Sequence, residues 1–169
     1  EVPYNNAIAM PVLAGTNQLM ISAGYGVGAA LLEIRALGNA FEADTLWRNR
    51  NLKNKFNASV FWQGHFYGLD EGVLACVNAD SGARVWRDGR YQYGQLLLAQ
   101  GHLLVLAGDG ELALVEATPR AFTEKHRLPA LKGKTWNVPA LAHGRLLLRN
   151  ASEMTCFDLR PRRTDNPAP

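Results

Sequence analysis

Apolar residues occur along the chain as short runs closed by Gly, Asp or Asn, without the 3.6-residue spacing of amphipathic helices. One unit recurs four times. Its first two runs are Met10-Pro-Val-Leu-Ala-Gly15 with Leu19-Met-Ile-Ser22, and Ser59-Val-Phe-Trp-Gln-Gly64 with Phe66-Tyr-Gly-Leu69. They recur as Leu96-Leu-Leu-Ala-Gln-Gly101 with Leu103-Leu-Val-Leu106, and Pro139-Ala-Leu-Ala-His-Gly144 with Leu146-Leu-Leu-Arg149. Runs of this length between turn residues predict strands. A third run follows in each copy, aligning Leu31, Leu74, Leu112 and Met154 in one column and Ile34, Val77, Val115 and Phe157 in another. Copy one is longer, which predicts an insertion of about six residues over Ala23 to Gly28. The turns Asp70-Glu71-Gly72 and Gly108-Asp109-Gly110-Glu111 accept the positive φ of tight hairpins. A fourth strand is predicted at Thr45 to Asn49, Arg84 to Asp88 and Phe122 to Leu128. Copy four has none, because three prolines fall among its last ten residues. Either that sheet keeps three strands or another segment completes it.

The chain is therefore all-β, with units at about 5–50, 51–89, 90–130 and 131–160 and a Pro-rich tail at 161–169. The anchoring glycines recur at intervals of roughly 40 residues, the length of a four-stranded antiparallel propeller blade. A β-sandwich would not predict repeated columns. Composition agrees: 47% hydrophobic and 20% charged, with 16 glycines and 8 prolines in 169 residues, excludes disordered, collagen-like and coiled-coil classes. No apolar stretch approaches the roughly 20 residues of a transmembrane helix. A net charge of +3, dispersed, is too small for a nucleic-acid footprint.

Asn78-Ala79-Asp80-Ser81-Gly82-Ala83-Arg84-Val85-Trp86 resembles the repeat signature of PQQ-like, quinoprotein-type β-propellers. Asp80 and Gly82 would make the turn between the third and fourth strands, and Trp86, like Trp47, would dock between neighbouring sheets. Trp47 lacks the Asp-x-x-Gly turn, and Ala117-Thr118-Pro119 replaces it in copy three. The family usually closes seven or eight blades, so the resemblance implies the C-terminal half of a ring. It is completed by further blades of the protein or by a second copy; a closed four-blade ring is the other option. An open arc would expose two apolar faces and so needs a partner surface. The resemblance also implies a bacterial, periplasmic or extracellular setting, with which the start at Glu1 without Met agrees.

Several motifs invite chemistry. Gly24-Tyr25-Gly26-Val27-Gly28-Ala29 formally matches a dinucleotide fingerprint, with Ala29 to Leu37 as its helix and Asp44 as the later acid. The repeat phase instead makes it a glycine-rich hairpin. His65, His102 and His143 flank the anchoring glycines and read as turn residues, His126 as part of an exposed outer strand. Cys76 and Cys156 share a column with Leu114 and read as buried, inert thiols. The sequons at Asn57 and Asn150 read as chance, Asn57 being placed in a strand. Quinone-dependent dehydrogenases similar to this family carry a vicinal cysteine pair, an acidic catalytic residue and calcium ligands. None is visible here, so PQQ with calcium belongs only to the alternative in which other blades supply the site.

Propeller geometry points to a different candidate, the top of the central channel. There we expect Asn5, Asn6, Lys53, Asn54, Lys55, Asn57, Arg90, Tyr91, Tyr93, Lys134, Trp136 and Asn137. Cations, amides and aromatics together suit an anionic group or an acidic peptide. The functional expectation is a non-catalytic scaffold that binds a protein or peptide in an exported assembly. The alternatives are part of a quinoprotein dehydrogenase and a self-associating half-propeller.

Overall fold

A computed structural model describes residues 7–161; Asn5, Asn6 and most of the tail lie outside them. The chain forms consecutive antiparallel sheets. The first holds β1 (Val12–Ala14), β2 (Gln18–Ala23), β3 (Gly28–Leu37) and β4 (Ala40–Asn49). The second holds β5 (Val60–Trp62), β6 (His65–Asp70), β7 (Val73–Asn78) and β8 (Arg84–Arg90). The third holds β9 (Gln95–Ala99), β10 (His102–Leu106), β11 (Glu111–Glu116) and β12 (Glu124–Pro129). The fourth, β13 (Ala140–Ala142), β14 (Arg145–Arg149) and β15 (Met154–Asp158), has three strands among the described residues. Each sheet is a simple meander, and the first strands β1, β5 and β9 touch in succession. These are the blades expected from the repeat.

The recurring glycine has a specific cause. Gln63-Gly64, Gln100-Gly101 and His143-Gly144 are two-residue connections with positive φ at both positions, 46 and 75°, 47 and 73°, and 49 and 73°. These are type I′ turns, whose twist matches that of the paired strands and whose second position favours Gly. Blade one departs, using three residues, Gly15 to Asn17, between β1 and β2. Its β2–β3 turn is also longer, Gly24 to Val27 against Glu71-Gly72 in blade two. The extra length is therefore spread over two turns instead of forming one insertion at Ala23 to Gly28. In consequence Leu31, which pairs with Met20 and Trp47, shares its column with Cys76, which pairs with Tyr67 and Trp86. The predicted alignment of Leu31 with Leu74 and Ile34 with Val77 is thus displaced by one strand period, which leaves face polarity intact.

Three apolar clusters glue the blades. Met20, Leu31, Leu52, Phe66 and Val77 pack between blades one and two. Tyr67, Leu69, Leu74, Cys76, Leu103, Val105 and Val115 pack between two and three, and Leu104, Leu106, Leu112, Leu146 and Leu148 between three and four. Two tryptophans on outer strands reinforce the first two interfaces. Trp47 Nε1 donates to the Ala79 carbonyl at 2.7 Å, and Trp86 Nε1 to the Thr118 carbonyl at 2.9 Å. Each indole thus reaches the connection between third and fourth strands of the next blade. Gly82, with φ +68°, lies beneath Trp47, where a Cβ would come within 2.7 Å of the ring. Asp80 lies in that turn but exposed. Asn78 holds the turn from within, its Oδ1 accepting from Ser81 N at 2.9 Å and Oγ at 2.8 Å, while Asn49 and Asn51 Nδ2 donate to the Gly82 carbonyl at 2.9 and 2.8 Å.

Candidate aromatic and cationic site on the top face

The fourth-to-first-strand connections and the second-to-third-strand turns meet at one end of the blades. The segment before β5 carries Lys55 and Phe56, the segment before β9 carries Tyr93, and the segment before β13 carries Lys134 and Trp136. Buried amides fix these loops. Gln95, nearly inaccessible, donates through Nε2 to the carbonyls of Phe56 at 3.0 Å and Trp136 at 3.2 Å, tying blades two, three and four together. Asn57 Nδ2 donates to the Gly94 carbonyl at 3.2 Å, while its Oδ1 accepts from Asn54 Nδ2 at 3.2 Å. Ser59 Oγ completes the chain to Asn54 Oδ1 at 2.8 Å. An amide that reaches backbone oxygens in separate loops satisfies buried polar groups and sets loop positions at once.

On this frame the rings converge. Phe56 stacks on Trp136 with centroids 5.4 Å apart, and Tyr93 meets both edge-on at 5.5 and 5.8 Å. Lys55 Nζ lies 4.3 Å from the Tyr25 ring centroid and 4.9 Å from that of Tyr93, within 3.5 Å of the Tyr93 hydroxyl. Its stem packs over Gly24, where a Cβ would meet it at 3.0 Å. Lys134 Nζ sits 3.5 Å above the Trp136 ring. Cation–π contacts of this kind contribute about 0.5–2 kcal/mol each. Among the described residues neither ammonium has a carboxylate within ion-pair distance. The site is therefore a half-exposed aromatic floor with two positive charges above it that no carboxylate among the described residues pairs.

Not every expected residue joins it. Lys53 is neutralised: its Nζ lies 2.5 Å from Oδ1 of buried Asp70, which also accepts Arg87 Nε at 2.7 Å and Arg84 Nη2 at 3.3 Å. Arg90 ends the outer strand β8, away from the channel, because that strand runs to Arg90 instead of stopping at Asp88. Tyr91 is fully buried between blades two and three, its hydroxyl donating to Glu124 Oε2 at 2.5 Å beneath the Arg127 guanidinium. Asn57 is buried, lies in a loop and serves the frame. Asn137 is half-buried beside Trp136. Lys55, Tyr93, Lys134 and Trp136 do assemble. Tyr25 and Phe56 were missed; a Phe between Lys55 and Asn57 in a loop was the available signal.

Burial pushes Cys76 up to about 12, and burial first, then its Glu124 partner, raises Tyr91. Cys156, expected buried, is exposed, because no further sheet covers the face of blade four that bears it. Among the described residues no three His, Cys, Asp or Glu side chains converge as metal ligands. The two thiols thus lie apart, Cys76 buried in blade two and Cys156 exposed on blade four. The segment after Gly28 is strand β3, not the helix a dinucleotide fingerprint needs. The described residues hold no helix long and apolar enough to cross a membrane.

No family model matches the chain, and no curated protein matches it in sequence. Solved structures do. BamB from Moraxella catarrhalis superposes with a TM-score of 0.69 at 13% identity, over 90% of this chain and 46% of that one. The computationally designed Ika4 protein gives 0.70 at 10% identity, over 95% and 96%. AztD from Citrobacter koseri gives 0.58 at 12% identity, over 90% and 44%. The chain thus spans about half the length of the two natural proteins and nearly all of the designed one. At these identities the likeness shows the fold, a β-propeller.

Proposed function

We propose that this propeller segment is a non-catalytic binding scaffold whose top face takes an acidic peptide, one bearing an aromatic residue, from a partner protein in an exported bacterial assembly. The observation that carries this is the pair Lys55 and Lys134, held on the faces of Tyr25, Tyr93 and Trp136. Carboxylates supply the missing counter-charge, and the Phe56–Trp136 floor offers a partner ring an edge or stacking contact. Rigidity favours recognition, because the Gln95 and Asn57 amides position the loops before any partner arrives. The exported setting comes from the repeat resemblance alone.

The test is a peptide array of acidic and aromatic sequences probed with the chain, followed by titration of selected peptides. Binding should weaken about tenfold in Lys55→Ala and Trp136→Ala, the loss of about 1.4 kcal/mol, and fall with added salt. Selection of neutral or basic peptides, or affinity indifferent to Lys55→Ala, would overturn it.

A further inference from the structure

Each inner interface is built from the same two sets of columns. On one side stand Tyr67, Leu69, Leu74 and Cys76; on the other, from the next blade, Leu103, Val105, Ala113 and Val115. By strand register the second set corresponds in blade one to Leu19, Ile21, Ala30 and Leu32. The first set corresponds in blade four to Leu147, Arg149, Met154 and Cys156. No described residue forms a further sheet over either terminal face. Leu13 and Ile21 are 59% and 41% exposed on one, and Met154 is 69% exposed on the other. A groove of about 490 Å³ runs along the blade-one face, between Ile21, Ala30 and Leu32 and the segment that carries Ala7, Ala9 and Pro11.

The two ends also depart from the repeat in matching ways. Among the described residues blade four shows neither an outer strand nor a tryptophan placed to dock on a next blade. Blade one replaces the short connection that receives such a tryptophan with an extended hairpin, Glu33 to Asp44, carrying exposed Leu37 and Phe41. Across such a junction this hairpin would stand beside the side of blade four where the described residues hold three strands.

We propose that a second copy of this chain closes the ring, blade four of each copy packing on blade one of the other, twice, about a two-fold axis along the channel. Continuity with the inner interfaces supports this occupant, since the same columns meet at every junction. So does number: the chain covers about half of the natural propellers it superposes on, and two copies supply a full set of blades. Such head-to-tail contacts close without leaving a free face. The inference is independent of the top-face peptide.

The parent chain should elute with a light-scattering mass twice 18.6 kDa at micromolar concentration. Ile21→Asp and Cys156→Arg should each be monomeric with unchanged far-UV circular dichroism. Mixed, they should recover a dimer, because that pair has one native junction and one Asp–Arg junction. An 18.6 kDa parent, a mass other than twice that value, or loss of the dimer in only one variant would overturn the arrangement. Should the variants unfold, maleimide labelling of Cys156 in the parent decides instead. Its rate should slow as chain concentration rises; a concentration-independent rate refutes a junction there and leaves further blades or another protein as the occupant.

Discussion

Trp86 provides the sharpest test of how the blades are held. Its ring centroid lies 5.9 Å from Tyr67 within its own sheet and 5.9 Å from Phe122 of the next, and its Nε1 donates to Thr118. Truncation of Trp86 to Ala removes both ring pairs, each worth about 0.5–1.5 kcal/mol beyond area burial, and a hydrogen bond worth about 1 kcal/mol. With the ring half-buried, the total falls near the lower end of the range for aromatic truncation, about 3–4 kcal/mol. Trp86→Phe keeps a ring in place but leaves the Thr118 carbonyl without its donor, about 1–2 kcal/mol. Urea unfolding followed by far-UV circular dichroism measures both without relying on the indole being removed. In thermal scans the Ala variant should melt about 6–16 °C lower, at 2–4 °C per kcal/mol for a chain of this size. A loss below about 1 kcal/mol for Trp86→Ala would refute the wedge, since even the hydrogen bond alone is worth that much. Equal losses for Ala and Phe would place the energy in the hydrogen bond instead of the ring.

Three further outcomes follow from single contacts. Asp70→Asn should destabilise by about 2–3 kcal/mol in urea, because it strands Lys53, Arg84 and Arg87 around a buried centre, with two of the cations partly solvated; added salt should soften the loss. Tyr67→Phe should leave the melting temperature unchanged or slightly higher, since its buried hydroxyl has only the weakly hydrogen-bonding Cys76 thiol beside it and no oxygen or nitrogen partner among the described residues. The Arg127 guanidinium lowers the Glu124 carboxyl below its ordinary range, against a smaller opposing effect of burial. A depressed folded value means the contribution is complete above the unfolded pKa of about 4.3 and lost as pH falls through the folded value. A pH series should therefore show the gap between parent and Glu124→Gln narrowing on acidification; a gap constant from neutral pH to below that range would contradict the pairing.

The strands were legible because their signals are local. A type I′ turn demands positive φ at adjacent positions, so Gln63-Gly64, Gln100-Gly101 and His143-Gly144 announce themselves as X-Gly between apolar runs. Alternation then assigns faces, and a slip of two residues, as at Leu31, goes unnoticed because it preserves them. Asp70 shows where local signals fail. In sequence it is a turn acid before Glu71-Gly72, whereas in space it is buried among three cations drawn from Lys53, Arg84 and Arg87. Its burial depends on a convergence that no short window contains.

The top-face site was half legible for the same reason. Lys55, Tyr93, Lys134 and Trp136 lie in loops ahead of the inner strands, so blade topology alone brings them to one end. Topology does not say which way a loop residue faces. Tyr91 and Tyr93 are two positions apart in one loop, yet Tyr91 is fully buried against Glu124 while Tyr93 stands over Phe56. What separates them is the partner each meets: Glu124 lies on β12, 33 residues away, and holds one hydroxyl inside. The Cys76 and Cys156 pair makes the same point at larger scale. Identical columns give one buried thiol and one exposed thiol, because burial in a blade belongs to the neighbouring blade as much as to its own sequence. A repeat therefore tells which residues can be buried at a junction, and only the presence of the next sheet makes them so.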